Sequence, residues 1–437
     1  MKNTHKIIGL VLTIVLLSCG SSVSKHGLSK TDLSYYESVF KDLKEFLSNE
    51  NGKLWNHQLY GPLILINRNN RLIIANEADN NGSLTKNGKV FTGILPNEFN
   101  IANTSFEWNG KRWTMVALPL PKDYNESLNL LTHELFHRIQ PEIGFADLYQ
   151  KPCNHLDKLN GRIYLKLELE ALKKVLSVNN ETIQNKHIQN ALLFRLYRQQ
   201  LFPEAKETEN LLELKEGLAE YTGTILSGRT DENLRNHYIK AIETLYENTT
   251  FVRSFAYRTT PVYGYFMNQN DKNWNLRISS KTNLTDFTLE FFNISVPINL
   301  TEKIERIQND YNYVKISDFE NVREQKQKEL IAKLDEMFQK NNTLSIPLQN
   351  MRIGFNPGNL IPYRDFGTVY PNLRITDNWG ILVAEKEALV NKNWNKVIVS
   401  EPTEITKEII KGDGWELELN KDWKLVKTED NYTLKKK

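Results

Sequence analysis

The sequence predicts an α+β protein with an N-terminal helix and small antiparallel sheet, a mainly helical middle portion and a small C-terminal all-β domain. Strand-like runs joined by turn residues lie between 62 and 117. Apolar residues recur at helical spacing from about 125 to 340. From about 345, glycines and prolines separate short apolar runs, which is typical of antiparallel strands.

The N-terminal segment has the features of an export signal. Lys2 and Lys6 precede an apolar run over 7–17, which is too short to span a bilayer comfortably. The run ends in Leu-Ser-Cys-Gly with the cysteine at position 19, and this ending resembles the lipobox of bacterial lipoproteins. The resemblance implies a lipid on Cys19 and attachment to a bacterial membrane. We expect the outer membrane, facing the periplasm; an ordinary signal peptide with an incidental cysteine is the alternative.

Composition and charge narrow the class of protein. The 437 residues carry a net charge of only +3, and the single basic block is the short lysine tail over 435–437, so we expect no nucleic-acid partner. Of the two cysteines, lipidation of Cys19 leaves only Cys153, so no internal disulfide can form. We expect Cys153 to be a buried small apolar side chain.

The expected division of the chain follows these changes in pattern. The portions are a signal peptide over 1–19, a tether over 20–30, an N-terminal α/β portion over 31–124, a helical portion over 125–344 and a β domain over 345–437.

Turn residues locate two hairpins after a first helix over 31–50. The predicted hairpins pair 62–66 with 71–75 and 105–108 with 112–117. Asn109-Gly110 in the second is the strongest short hairpin signal in the chain. Because Pro119 and Pro121 follow the last strand, we expect that strand near an edge of the sheet, where an extended peptide could pair with it.

The remaining elements follow from periodicity. Further helices are predicted over 156–177, 185–201, 203–227, 231–246 and, with breaks, 302–340. Strands of the C-terminal domain are predicted at 381–384, 396–399 and 415–419.

The pentapeptide from His133 to His137 carries the chemistry. It has the pattern HExxH within an amphipathic helix that Asp123 or Asn125 can cap. Histidines four residues apart lie on one helical face, so both imidazoles can reach one metal ion, and zinc suits such ligands. Glu134 beside them can accept a proton from water. A chance match is the alternative.

Zinc needs a third protein ligand. In the metzincin pattern, a glycine and a histidine follow the second histidine at intervals of three and six residues. Gln140 and Ile143 occupy those positions here, which excludes that class. A glutamate on a following helix is the remaining common solution.

The segment Glu213-Leu-Lys-Glu-Gly-Leu-Ala-Glu-Tyr221 resembles the Asn-Glu-Gly-x-Ala-x-Tyr segment of gluzincin peptidases, with Lys215 in place of the asparagine. The resemblance implies that Glu216 binds zinc. The spacing from Glu216 to Glu220 is also similar to the Glu-x-x-x-Asp of thermolysin-like enzymes, in which the second acid holds a ligand histidine. Glu220 is therefore expected to fix a histidine tautomer.

Two alternatives stay open for these acids. Glu213, Glu216 and Glu220 lie opposite the apolar stripe of their helix, and both a solvated face and a cleft-lining face would give this pattern. The helix around Glu168 and Glu170 is apolar nearly all round, so an acid within it needs a partner. Either of these two acids could bind zinc, orient a ligand or a substrate amine, or form a plain ion pair.

The gluzincin resemblance also implies a tyrosine or histidine donor for the oxyanion. No histidine follows His237, so Tyr257 and Tyr263 are the candidates. We expect a zinc-dependent peptidase that acts on peptides or proteins, with Glu134 as general base. A peptide-binding lipoprotein without turnover and a zinc hydrolase of a cell-wall amide are the alternatives.

Overall fold

The computed structural model describes residues 28–97, 99–146, 148, 151–356 and 359–437. The predicted signal peptide, with Cys19, lies outside the described residues. These described residues form two compact units, which divide between residues 317 and 318. Among the described residues, no helix combines the length and apolar character needed to cross a membrane. The predicted α+β class is confirmed, since one helix, six consecutive strands and then a run of helices make up the first unit and strands dominate the second.

The first unit contains a six-stranded sheet in the order β3-β4-β2-β1-β6-β5. Its strands are β1 (Leu63–Asn67), β2 (Leu72–Ala75), β3 (Thr85–Asn87), β4 (Val90–Ile94), β5 (Thr104–Trp108) and β6 (Lys111–Leu118). Both predicted hairpins are present, since β1 pairs with β2 and β5 with β6. Asn109 and Gly110 turn the second hairpin with φ of 47° and 74°, as a tight turn of this type requires.

The strand β6 is not at the edge of the sheet. It pairs in parallel with β1 and antiparallel with β5, so both of its sides are occupied. The prediction that β6 could itself pair with a peptide is therefore wrong. Its proline-terminated end is still one strand from the edge, and the outer strand is β5.

The sheet is buried on both faces, which explains its continuous apolar runs. Leu63, Leu65 and Val116 belong to the large core shared with the helices. Ile64, Ile66 and Met115 alternate with them and form a second core on the opposite face.

The helices of the first unit share the large core with one face of this sheet. They are α1 (Lys30–Glu50), α2 (Tyr124–Ile139), α3 (Leu159–Leu176), α4 (Glu181–Leu201), α5 (Ala205–Leu212), α6 (Leu218–Ile225), α7 (Asp231–Leu245), α8 (Ala256–Asn270), α9 (Leu284–Phe291) and α10 (Leu300–Ile307). A π-helical turn, Glu213–Gly217, joins α5 to α6, and a 3₁₀ turn, Asn154–Asp157, precedes α3. Of the two predicted caps for α2, Asp123 is the one used, because its side chain accepts from the backbone N–H of Glu126.

The sequence pattern did not locate α8 and α9. The helix α8 contains Pro261 and Gly264 together with the β-branched Thr259 and Thr260, all poor helix formers. Burial of most of its side chains stabilises it instead, so tertiary packing overrides local propensity.

The second unit begins within α11 (Tyr313–Asp335), which continues as a π-helical turn, Glu336–Lys340. Two sheets follow, in the orders β18-β19-β7-β14-β13-β10-β9 and β15-β16-β17-β12-β11-β8. Their strands are β7 (Thr343–Pro347), β8 (Arg352–Phe355), β9 (Ile361–Tyr363), β10 (Gly367–Tyr370), β11 (Leu373–Asp377), β12 (Gly380–Ala384), β13 (Ala388–Asn391), β14 (Lys396–Ser400), β15 (Pro402–Ile405), β16 (Ile409–Gly412), β17 (Trp415–Leu419), β18 (Trp423–Thr428) and β19 (Asn431–Lys436). The inner faces share one core, to which Leu344 and Val397 contribute from the first sheet and Leu382 and Leu417 from the second.

Candidate metal centre

Three side chains converge on one point in the first unit. His133 and His137 come from consecutive turns of α2, and Glu216 comes from the π-helical turn. The two Nε2 atoms lie 3.1 Å apart, and Oε2 of Glu216 lies 3.3 Å from Nε2 of His137 and 3.9 Å from Nε2 of His133. The described residues therefore contain a possible metal-binding group, His133, His137 and Glu216.

The hydrogen-bond partners of the two Nδ1 atoms fix the tautomers of His133 and His137. Nδ1 of His133 lies 2.9 Å from Oε2 of Glu220, and Nδ1 of His137 lies 2.7 Å from Oε1 of Gln140. Burial would raise the pKa of Glu220, but the hydrogen bond and charge of His133, together with Arg258 and Asn129, outweigh it and lower the pKa, so this carboxylate is ionised and accepts. Each Nδ1 therefore carries the proton, and each Nε2 presents a lone pair.

A metal ion fits this set of atoms. Two lone pairs that face each other at 3.1 Å, beside a carboxylate oxygen, repel unless a cation lies between them. Zinc bonds of about 2.0–2.1 Å at tetrahedral angles place ligand atoms about 3.3 Å apart. The three observed separations lie around that value.

Of the acids that follow α5, Glu213 and Glu220 are buried and Glu216 is largely enclosed, so their face of the helix lines a cleft and is not a solvated surface. Glu213 and Glu220 are 1% and 9% exposed, and the side chain of Glu216 is 15% exposed. Glu213 is held by Arg195 and by the hydroxyls of Thr259 and Thr260. The π-helical turn is therefore fixed from behind while Glu216 projects toward the histidines.

Two glycines allow the helices around the site to approach closely. A Cβ at Gly223 of α6 would lie 2.6 Å from the backbone oxygen of Asn129 and 3.2 Å from Cβ of His133. A Cβ at Gly217 would lie 2.3 Å from Oγ1 of Thr260 on α8. Because real Cβ atoms never sit so close to backbone, Gly223 is what lets α6 lie against α2 at the level of the site.

Glu134 is the acid with spare hydrogen-bonding capacity beside this group. Its side chain is 5% exposed, and its Oε2 atom has no hydrogen-bond partner among the described residues. Burial raises the pKa of Glu134 to about 7, and the carboxylates of Glu216 and Glu220 add to the rise, although His137 opposes it. A carboxyl group with such a pKa can both accept and return a proton near neutral pH.

Tyr257 lies directly on the site. Its hydroxyl donates to Oε2 of Glu216 at 2.5 Å, and its ring stacks on that of His133 with centroids 5.6 Å apart. Burial, followed by the charge of Glu216, holds the pKa of Tyr257 well above its usual range. The phenol therefore stays protonated at neutral pH and donates to Glu216 in this structure.

The structure takes Tyr263 and Glu170 out of the candidate site. Tyr263 is buried and donates to Glu168 at 3.0 Å, and Glu168 itself is paired with Arg195 and Arg198. Glu170 accepts from Tyr246 and pairs with Lys173. None of these seven side chains lines the cleft that contains the histidines. We predicted that an acid within α3 needs a partner. For Glu168 the two arginines are those partners.

A cleft of about 1080 Å³ opens over the three converging side chains. Its lining comes from the outer strand β5 and the residue before it, from the π-helical turn and the start of α8, and from the apolar residues Pro141, Phe145, Ala146 and Leu148. Residues from these segments include Thr104, Ser105, Lys215, Tyr257, Phe145 and Leu148.

Sequence reasoning missed Gln140 and Asn129 as members of the site. Asn129 donates to Oε1 of Glu220 at 3.3 Å, while Gln140 contacts His137. Gln140 follows His137 by one helical turn, and this spacing is the signal that could have found it.

Comparisons with known proteins add no relative to this picture. No protein-family model, no curated protein and no solved structure matches the chain.

Proposed function

We propose that the protein is a zinc-dependent peptidase of the gluzincin type. One observation carries the proposal: two bare imidazole nitrogens and a carboxylate converge beside a buried glutamate with spare hydrogen-bonding capacity, at the base of an open cleft. His133, His137 and Glu216 would hold the zinc ion. When bound, zinc supplies a Lewis acid and lowers the pKa of a water molecule.

The chain's own residues account for the proton movements. Glu134 accepts a proton from the attacking water and later delivers it to the amine that leaves. Tyr257 keeps its phenolic proton at neutral pH and donates a hydrogen bond to the oxyanion of the substrate carbonyl. Glu220 and Gln140 hold the two imidazoles so that each Nε2 stays bare.

The outer strand β5 favours a peptide as the substrate. Among the described strands it pairs with β6 alone, and Thr104 and Ser105 line the cleft. An extended peptide can add to such an edge through main-chain hydrogen bonds, which would carry its scissile bond past the site. We therefore still propose that a peptide binds by pairing with the edge of the sheet, but the strand that it pairs with is β5 and not β6.

The replacement Glu134→Gln tests the mechanism. The amide cannot accept a proton, so turnover should fall by about 10²-fold or more, while zinc content stays near one ion per chain. The variant His133→Ala should lose both turnover and the bound zinc. Cleavage of casein or of a peptide library, together with elemental analysis, measures both quantities.

Glu142→Gln is the matched control, since Glu142 follows α2 and pairs with His57 at the surface. It should cleave like the unmodified protein. Full activity of Glu134→Gln would refute the mechanism, whereas zinc binding without cleavage of any peptide would favour a binding protein or a hydrolase of another amide.

We also propose that a lipid on Cys19 anchors the protein to the outer membrane on its periplasmic side. The proposal rests on the lipobox resemblance at 16–20. Cys19→Ala should move the protein from the membrane fraction to the soluble fraction, because the acyl chains supply the affinity. A variant that stays with membranes after a high-salt wash would contradict the anchor, and digestion by protease added to intact cells would contradict the orientation.

A further inference from the structure

The side chain of Gln140 joins the two halves of the metal-binding group. It is 4% exposed and lies one turn beyond His137, at the end of α2. Its Oε1 atom lies 2.7 Å from Nδ1 of His137. Its Nε2 atom donates to the backbone oxygens of Lys215 at 2.9 Å and of Leu214 at 3.3 Å.

The two carbonyl oxygens determine how the amide is oriented. Only the NH₂ group of a glutamine can donate, so Nε2 must face Leu214 and Lys215. Oε1 then faces His137 and can only accept, which requires the proton on Nδ1 of that ring. The backbone of the π-helical turn thereby dictates which nitrogen of His137 is left bare.

The same bonds position the third ligand. Leu214 and Lys215 directly precede Glu216 within the π-helical turn. Gln140 therefore ties α2, which holds two ligands, to the turn that holds the third. Glu220 orients His133 through one carboxylate.

We propose that Gln140 is a positioning residue that couples the tautomer of His137 to the placement of Glu216 and so sets the affinity for zinc. The inference rests on the metal site of the proposed function, not on peptide cleavage. It separates two roles within one side chain: acceptance from His137 and donation to the turn.

Three replacements distinguish these roles when zinc affinity is measured by competition with a chelating dye. Gln140→Leu keeps the volume and removes both roles, so affinity should fall about 10–100-fold. Gln140→Glu can still accept from His137 but cannot donate when ionised, so at pH 8 it should also lose affinity. Gln140→Asn is one methylene shorter and cannot span both partners; it provides a polar variant should leucine prevent folding.

Gln199→Leu is the matched control. Gln199 is 8% exposed, and its amide bonds to Glu209 and Thr285 outside the cleft. The variant Gln199→Leu should be less stable than the unmodified protein but should bind zinc with the same affinity. The Nδ1–H resonance of His137 provides a second readout, which should be present in the zinc-loaded protein and altered in Gln140→Leu.

Each outcome has a defined meaning. Affinities within twofold of the unmodified protein for both Gln140→Leu and Gln140→Asn would overturn the inference. Full affinity of Gln140→Glu would overturn the coupling to the turn. If the unmodified protein binds zinc but cleaves no peptide, the proposed function fails while the role of Gln140 still stands on these titrations.

Discussion

At the scale of single residues, the two candidate tyrosines have opposite environments. Tyr257 lines the cleft and donates to Glu216, whereas Tyr263 is enclosed in the core and donates to Glu168. Nothing in the local sequence separates them, since both belong to one aromatic cluster and lie on one helix, α8. Their different partners predict different effects of the same substitution.

Tyr257→Phe should lower kcat about 10²–10³-fold, because it removes a donor to the developing oxyanion. Tyr263→Phe should leave kcat and zinc content unchanged and lower the free energy of unfolding by about 1–3 kcal/mol, since Glu168 loses a buried partner. Steady-state kinetics and urea unfolding of both variants measure the contrast. Loss of turnover in Tyr263→Phe at unchanged zinc content would contradict the assignment.

At the scale of elements, the site depends on how closely α6 can lie against α2. Glu216 and Glu220 come from one continuous segment, and both must reach histidines of α2. The missing side chain of Gly223 makes room for the backbone of Asn129. The π-helical turn, held by Glu213 and Gln140, sets the direction in which Glu216 projects.

Gly223→Ala should therefore damage the metal site from outside it. Alanine gains helix propensity, but the added Cβ must push α6 away from α2, and we expect a net loss of about 1–3 kcal/mol in the free energy of unfolding. Zinc affinity should fall with it. Gly354→Ala is the control, since nothing lies within 4 Å of the Cβ position there. Unchanged zinc affinity in Gly223→Ala would show that the close approach is not needed.

At the scale of the first unit as a whole, a buried ionic network connects helices that carry the site. Arg195 and Arg198 of α4 bind Glu168 of α3 and the acids Glu209 and Glu213 on either side of the start of the π-helical turn. Removal of one member of a buried network leaves its partners' charges uncompensated, at a cost of about 3–5 kcal/mol. Because of this network, the π-helical turn should unfold only together with helices α3 and α4.

The pH dependence of stability should report on this network. Burial would raise the pKa of Glu209, but Arg198 and a hydrogen bond from His155 outweigh it and hold the pKa well below the usual 4.5. The stabilisation from Glu209 is thus complete above that value and is lost as the pH falls toward the folded-state pKa.

The variant Glu209→Gln should be less stable than the unmodified protein at pH 7. Its free energy of unfolding should also fall less steeply between pH 5 and pH 2. The slope should differ by at most about 1.4 kcal/mol per pH unit, which corresponds to one proton. Urea unfolding across this range, with Glu45→Gln as a surface control, measures it. Equal slopes for Glu209→Gln and the unmodified protein would contradict the ionised state of Glu209.

The sequence by itself determined the α+β class, both N-terminal hairpins and the helix that places His133 and His137 on one face, because these depend on local periodicity and turn chemistry. Its resemblance to gluzincins pointed to Glu216 and Glu220, but periodicity could not separate a solvated face from a buried one. Only the tertiary structure decided that these acids meet α2, that Tyr257 rather than Tyr263 reaches them, and that β5 is the outer strand. Such contacts join residues far apart in the chain, and no local pattern records which packed surfaces will face each other.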